Sequence, residues 1–161
     1  MTDNAAEKAI AAVRAAGLTL ATAESCTGGN ISHLITEVAG CSDVFRGAVV
    51  SYCNEVKQRV LGVPAEVLEA NGAVSEPTVR AMAEGVARLL DAGCAVATSG
   101  IAGPGGAVPG KPVGTVWIAA TAPGLTVAEV CHFDGDRQAV IAQASAEALS
   151  LLVRTLQYPR I

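Results

Sequence analysis

A serine and a cysteine stand side by side in a glycine-containing segment near the start of the chain, Thr22 to Asn30. An apolar run, Leu18 to Ala21, precedes this segment, and apolar residues at helical spacing follow it. The pattern predicts a strand, a tight turn that carries Ser25 and Cys26, and a helix. We expect free N–H groups at the start of that helix to face the turn, where they would favour a phosphate or an oxyanion.

Lys57 is the candidate base for a serine nucleophile, because a serine hydroxyl needs a group that accepts its proton. If Asn54 is a helix N-cap, Lys57 lies in the first helical turn, where the positive end of the dipole disfavours an ammonium ion. Leu61 follows one turn later on the same side, and partial burial would also lower the lysine pKa. A solvated surface lysine is the alternative, and the spacing alone does not decide between them.

Other side chains compete for a place in this chemistry. Cys26 could replace the serine as nucleophile, because a helix N-terminus lowers a thiol pKa, or it could be a small buried hydrophobe. Tyr52 could relay a proton or orient Lys57, or it could end a strand with its hydroxyl in water. We expect His33 and His132 to lack acidic partners and to be structural, which favours a Ser-Lys pair over Ser-His-Asp.

A glycine-rich segment, Ser99 to Gly106, offers a second place for a ligand. Its glycines could let the backbone approach an anion, as phosphate-cradling loops do, although a plain hairpin loop would have the same composition. No Gly-Lys-Ser/Thr follows, so it is not a P-loop. Arg137 at the start of the last predicted helix could clamp an anion, although an arginine there is more often a surface charge.

The surrounding pattern alternates strands with helices and predicts one three-layer α/β domain over residues 1–161. The late hairpin makes the predicted sheet mixed rather than purely parallel. The predicted helices begin near Asn4, Asn30, Asn54, Pro64, Ser75 and Asp136, and the predicted strands are Leu18 to Ala21, Phe45 to Tyr52, Cys94 to Ala97, Pro112 to Ala122 and Leu125 to Phe133.

Composition excludes several classes of protein. The net charge is −4 without a basic run, which argues against binding nucleic acid through its phosphates. Five cysteines, an odd number without a C-x-x-C pair, indicate neither a disulfide framework nor a zinc site, and we expect a reduced cytoplasm. We also expect no membrane span, because no apolar stretch approaches the ~20 residues that a span requires.

Seven sequence blocks occur in order over almost the whole chain. They are T-A-E-S-C-T-G-G (22–29), S-Y-C-N-E-V-K (51–57), L-G-V-P (61–64), G-A-V-S-E-P (72–77), S-G-I-A-G-P-G-G (99–106), K-P-V-G (111–114) and G-D-R (135–137). With these blocks the chain resembles the C-terminal domain family of the competence/damage-inducible protein CinA, which includes stand-alone nicotinamide mononucleotide deamidases.

The resemblance implies an α/β/α sandwich on a five-stranded mixed sheet, usually a homo-oligomer, that hydrolyses the carboxamide of nicotinamide mononucleotide to the acid and ammonia. It implies no metal and no cofactor. The family's catalytic positions fall on Ser25, Lys57 and Tyr52. The substrate-binding positions that it implies are Glu24, Cys26, Thr27, Gly28, Asn54, Ser99, Gly100, Gly103, Gly105 and Arg137.

Two departures from the family pattern affect these expectations. Relatives often carry a second arginine four residues after the one matching Arg137, and Ile141 stands there, so one phosphate contact is in doubt. The chain lacks the large N-terminal domain of full-length CinA proteins, so we expect the stand-alone form.

The expected mechanism has Lys57 deprotonate Ser25 while N–H groups near Cys26 and Thr27 hold the oxyanion. We expect Glu24 to orient the corner or to bond the ribose of the substrate. One alternative is a nucleotide-binding module that acts through partner proteins in competence or DNA damage. Another is a cysteine amidase that uses Cys26.

Overall fold

The structure, a computed structural model, describes residues 4–158. Residues 1–3 and 159–161 of the predicted single domain lie outside the described residues. In chain order the helices are α1 (Ala5–Ala15), α2 (Asn30–Thr36), α3 (Asn54–Arg59), α4 (Ala65–Asn71), α5 (Glu76–Leu89) and α6 (Arg137–Leu156), and the strands are β1 (Leu20–Glu24), β2 (Phe45–Val50), β3 (Cys94–Gly100), β4 (Thr115–Ala122) and β5 (Leu125–His132).

The strands form one mixed sheet in the order β2-β1-β3-β4-β5, which confirms the predicted five strands. The first three run parallel, and β4 and β5 form the predicted antiparallel hairpin. Glu24 lies opposite Val50 on one side and Thr98 on the other, so the three parallel strands reach the same edge together. The residues at and just beyond this edge therefore lie close to one another, where α/β sheets commonly bind ligands.

Helices cover both faces of the sheet, as the alternation of side chains along β1 shows. Leu20 belongs to a core with α1, α2 and α6, whereas Ala21 and Ala23 belong to a second core with α4, α5 and the turn after α3. All five residues of β1 are buried. The predicted α/β/α sandwich is confirmed, and the small β1 side chains let α5 lie close to the sheet.

Predicted helix starts agree with the structure at two of three capped sites. Ser75 accepts a hydrogen bond from the N–H of Thr78, and Asp136 accepts one from Ala139. The predicted Asn54 N-cap was wrong, because Cys53 occupies the cap position without a side-chain hydrogen bond and α3 begins one residue earlier than expected. Lys57 nevertheless lies on the buried side of α3.

Among the described helices, α6 is the one that bears on the expectation about membrane spans. Its 20 residues are long and apolar enough to cross a membrane by length and composition alone. In the structure, however, its buried residues join the core shared with α1 and α2, including Val140, Ala144 and Leu152. It packs as the core helix of this sandwich.

Gly85 in α5 generates a stability prediction. A Cβ atom at this position would overlap the backbone carbonyl oxygen of Leu61, in the turn that follows α3. We expect Gly85→Ala to lower the free energy of unfolding by about 2 kcal/mol, because overpacking outweighs the better helix propensity of alanine. Urea denaturation measures the change.

Glu84→Ala is the control for this substitution, because Glu84 is exposed in the same helix. It should change the free energy of unfolding by less than about 0.5 kcal/mol. A Gly85→Ala protein at least as stable as the wild type would show that α5 and the Leu61 turn can move apart without cost.

Candidate active site

Ser25 directly follows β1, and its side chain meets the lysine that the sequence singled out. Lys57 Nζ lies 3.0 Å from Ser25 Oγ. The lysine approaches from α3, which follows the neighbouring strand β2. Both residues are buried, with relative exposures of 7% for Ser25 and 1% for Lys57. The fold thus brings together two side chains that are 32 residues apart in the chain.

The surroundings of Lys57 favour a neutral amine. Burial lowers its pKa from the ordinary value of 10.5. Its Nζ also lies 2.8 Å from the carbonyl oxygen of Ser51 and 3.3 Å from that of Tyr52, and no salt bridge joins it to an acid within residues 4–158. A neutral amine has two hydrogens and one lone pair. The two carbonyls can take the hydrogens, which leaves the lone pair for Ser25.

Cys26 differs from the predicted low-pKa thiol. Burial raises the pKa of this thiol to about 11, and the side chain is only 6% exposed. The structure thus matches the other alternative for Cys26, the buried hydrophobe: α2 begins at Asn30, as expected, and three turn residues separate it from the cysteine. Cys26 therefore behaves as a buried thiol beside the serine.

The N–H groups that open α2 are also not free, contrary to expectation. The Glu24 carboxylate accepts hydrogen bonds from the N–H groups of Gly29, Ile31 and Ser32 at 2.9 to 3.2 Å. Glu24 is completely buried and does not line the cavity beside Ser25. Two roles were expected for Glu24. Its contacts agree with a role in orienting the turn that carries Ser25, and its carboxylate does not reach the cavity where a ribose could bind.

Thr27 and Gly28, which were also predicted to contact the substrate, make hydrogen bonds within the protein instead. The Thr27 hydroxyl donates to Glu24 at 2.7 Å and lies 2.8 Å from the Thr98 hydroxyl, and the Gly28 N–H donates to the Ser25 carbonyl. Neither Thr27 nor Gly28 lines the cavity. Within residues 4–158, the backbone N–H groups of Cys26 and Thr27 donate to no other residue.

A cavity of about 320 Å³ opens beside the Ser25–Lys57 pair. The loop after β3 and the start of α6 supply much of its wall. Ala73 and Val74, which precede α5, supply an apolar wall that sequence reasoning missed, because two small apolar residues in a turn carry no chemical signal. The predicted residues that line the cavity are Ser25, Cys26, Tyr52, Asn54, Lys57, Ser99, Gly100, Gly103, Gly105 and Arg137.

Arg137 ties two walls of this cavity together. Its guanidinium donates to the Gly103 carbonyl at 2.8 Å and to the Tyr52 hydroxyl at 2.9 Å. Tyr52 is 59% exposed and contacts Lys57 through its backbone carbonyl, a contact that any residue type could make. The position that matches the second arginine of relatives, Ile141, packs against the core below.

Ser99 lies on the strand next to Ser25, because Glu24 and Thr98 are register partners. It is 1% exposed, lines the cavity, and its hydroxyl makes no hydrogen bond to another of residues 4–158. Its cross-strand partner on β4 is Trp117. A hydroxyl that lines a cavity and bonds no other described residue is available to contact a ligand.

The side chains that line the cavity are basic rather than acidic. Lys57 and Arg137 are its ionisable basic residues, and no carboxylate lines it. The backbone N–H groups of Gly103, Gly105 and Gly106 donate to no residue between 4 and 158, so they are available to phosphate oxygens. The described part of the chain contains no group of three or more His, Cys, Asp or Glu residues that could hold a metal ion.

The histidines lie outside this cavity. His33 Nε2 is 3.1 Å from Glu37 on the exposed surface of α2, so the expectation that it lacks an acidic partner was wrong. The missed signal was the spacing of four residues on a helix. His132 contacts the Thr115 hydroxyl through Nδ1. Neither histidine belongs to a Ser-His-Asp arrangement.

Comparison with known proteins agrees with the sequence blocks. A CinA-like protein of Anaeromyxobacter sp. (strain K) is 50% identical over 150 residues, which cover 93% of this chain and 37% of that protein. The chain thus spans little more than a third of such relatives. Nicotinamide-nucleotide amidohydrolase PncC of Escherichia coli (strain K12) is 50% identical over 142 residues, covering 88% of this chain and 86% of that protein.

Solved structures and a family model give the same result. Competence damage-inducible protein A (ComA) from Klebsiella pneumoniae superposes with a TM-score of 0.92 at 38% identity over 97% of both chains. Competence/damage inducible protein CihA from Agrobacterium tumefaciens gives 0.91 at 38% identity over 98% of both. The model of the CinA C-terminal domain matches residues 2–156, and the chain therefore belongs to the CinA C-terminal domain family.

Proposed function

We propose that the chain hydrolyses the carboxamide of nicotinamide mononucleotide to nicotinate mononucleotide and ammonia. One observation carries the proposal: the 3.0 Å contact between Ser25 Oγ and the buried amine of Lys57, at the wall of an anion-attracting cavity. The name of the E. coli relative, a nicotinamide-nucleotide amidohydrolase, supports the same reaction. No separate observation favours a module that only binds nucleotides.

The reaction begins when neutral Lys57 takes the proton of Ser25 as Oγ attacks the carboxamide carbon. The new C–O bond gives a tetrahedral intermediate whose former carbonyl oxygen is negative. The N–H group of Cys26, a residue that lines the cavity beside Ser25, holds this oxyanion, and one such donor is worth about 3 kcal/mol in comparable enzymes.

The Lys57 ammonium then returns its proton to the amide nitrogen. The C–N bond breaks, ammonia leaves, and a nicotinate ester remains on Ser25. Lys57, neutral again, deprotonates a water molecule that attacks this ester. Collapse of the second intermediate releases the carboxylate and gives the proton back to Ser25.

Specificity follows from the remaining cavity walls. The Arg137 guanidinium and the free N–H groups of the glycine-rich loop hold the 5′-phosphate. Ser99 lies beside Ser25, so its hydroxyl contacts the reacting carboxamide rather than the phosphate. Ala73 and Val74 face the aromatic ring. We further propose that the enzyme works in pyridine nucleotide salvage in the cytoplasm, as a homo-oligomer.

Ammonia release identifies the nucleophile. We expect wild type and Cys26→Ala to release ammonia from nicotinamide mononucleotide in buffer with a chelator, and Ser25→Ala to lose at least about 1000-fold in kcat. Turnover retained by Ser25→Ala and lost by Cys26→Ala would instead identify a cysteine amidase. Nucleotide binding without turnover by the wild type would favour the binding module.

Lys57→Met tests the base. Methionine fills a similar volume without a proton acceptor, so we expect kcat to fall at least about 1000-fold while the Kd for the nucleotide changes by less than about threefold. Lys111→Met is the matched control, because Lys111 lies outside the cavity and bonds the Asn71 carbonyl. Near-normal kcat in Lys57→Met would refute the base assignment.

The pH dependence of kcat/KM reports the same lysine. Protonated Lys57 cannot accept a proton, so activity should rise with pH as the amine loses its proton. Burial lowers the pKa of Lys57, so the rise should be centred below 10.5, the ordinary value for lysine. A profile that rises only above this value would contradict a neutral buried amine.

A further inference from the structure

Glu24 is the largest buried polar feature that the proposed mechanism does not use. Both carboxylate oxygens are engaged, and every contacting group donates. Oε1 accepts from the Thr27 hydroxyl at 2.7 Å and from two N–H groups of α2, while Oε2 accepts from the N–H and the hydroxyl of Ser32. An ionised carboxylate only accepts hydrogen bonds, so it suits a site with five donors.

This carboxylate replaces the missing cap of α2. Gly29 occupies the N-cap position with a φ of 103° and supplies no side-chain hydrogen bond. The first N–H groups of a helix need acceptors when they are buried. Glu24 reaches them from the end of β1, so the strand holds the start of the helix through one side chain.

The Glu24 side chain also holds the turn that carries the nucleophile. Ser25 and Cys26 lie between Glu24 and Thr27, whose hydroxyl closes a ring by bonding the carboxylate. Because the only Thr27 hydroxyl hydrogen goes to Glu24, the Thr98 hydroxyl must donate to Thr27, which ties β3 to the ring. The turn backbone is thereby fixed, while the N–H groups of Cys26 and Thr27 donate to no other residue between 4 and 158.

The position of Glu24 rules out a direct role as base. Successive strand residues point to opposite faces, so Glu24 faces α2 while Ser25 faces Lys57. Within residues 4–158, the hydrogen bonds of Lys57 Nζ go to Ser25 and to the Ser51 and Tyr52 carbonyls, and none goes to Glu24. Glu24 thus contacts neither the amine nor the cavity.

We propose that Glu24 is a positioning residue: its buried carboxylate caps α2 and fixes the Ser25–Gly29 turn so that the N–H group of Cys26, which lines the cavity, faces the oxyanion. This inference rests on the proposed function. The N–H groups at the start of α2 already donate to Glu24, so they cannot bind the substrate phosphate. The phosphate therefore binds at the glycine-rich loop and Arg137.

Glu24→Gln tests the inference with a nearly isosteric side chain. In either amide orientation the new NH₂ group faces at least one backbone N–H, which cannot become an acceptor. We expect kcat for ammonia release to fall about 100-fold, the loss typical of a misplaced reacting group. KM should change by less than about threefold, and the pH at which activity rises should not move.

Two control variants separate this effect from general damage. Glu37→Gln makes the same change on the exposed end of α2. Leu152→Ala opens a cavity in the core about 20 Å along α6 from Arg137, and should destabilise the protein by about 3 kcal/mol. Both should keep kcat within about threefold of wild type under conditions where they are folded.

Hydrogen exchange read by mass spectrometry gives a second readout that does not depend on turnover. We expect Glu24→Gln, and neither control, to speed exchange of the amides of residues 29–32. A kcat within threefold of wild type, an increase in KM alone, a displaced pH profile, unchanged exchange, or an equal loss of kcat in Leu152→Ala would each overturn the inference. A wild type without ammonia release would overturn the proposed function instead, and the exchange result would still test the cap.

Discussion

The arrangement of the candidate active site depends on the burial of one amine, the side chain of Lys57. Lys57 is among the largest fully buried side chains of the described chain, in a core that is otherwise mostly aliphatic and alanine-rich. Burial costs a charged amine far more than a neutral one, so the folded protein favours the neutral form. Two backbone carbonyls from the end of β2 satisfy its hydrogens. The parallel pairing of β1 with β2 then fixes the distance to Ser25.

Charge is divided between the two faces of the sheet edge. Glu24 lies on the α2 face and is saturated with donors, whereas Lys57 and Arg137 lie on the cavity side. The alternation of side chains along β1 creates this division with adjacent residues. A carboxylate on the cavity side would pair with the lysine, keep it protonated and repel a phosphate. The separation keeps the amine able to accept a proton and the cavity attractive to anions.

Much of the fold could be predicted from periodicity and turn chemistry, because alternating patterns, Ser75 and Asp136 caps and the Pro123-Gly124 turn are local signals. The family blocks indicated Ser25 and Lys57. Side-chain direction was harder to predict: Thr27 points inward, and Tyr52 reaches Lys57 by its carbonyl. The two alternatives for Cys26 could not be separated, because sequence does not show whether a turn residue is buried, and burial sets the pKa of this thiol.

The pairing of Ser99 with Trp117 across β3 and β4 has a practical consequence. Trp117 is the single tryptophan of the chain, so its emission comes from one known place. Directly paired residues in an antiparallel sheet lie about 5 Å apart at Cβ and share a face. The indole is half-buried next to a strand position that lines the cavity. The protein therefore carries its own optical reporter, and occupancy of the cavity can be followed by intrinsic fluorescence without a label.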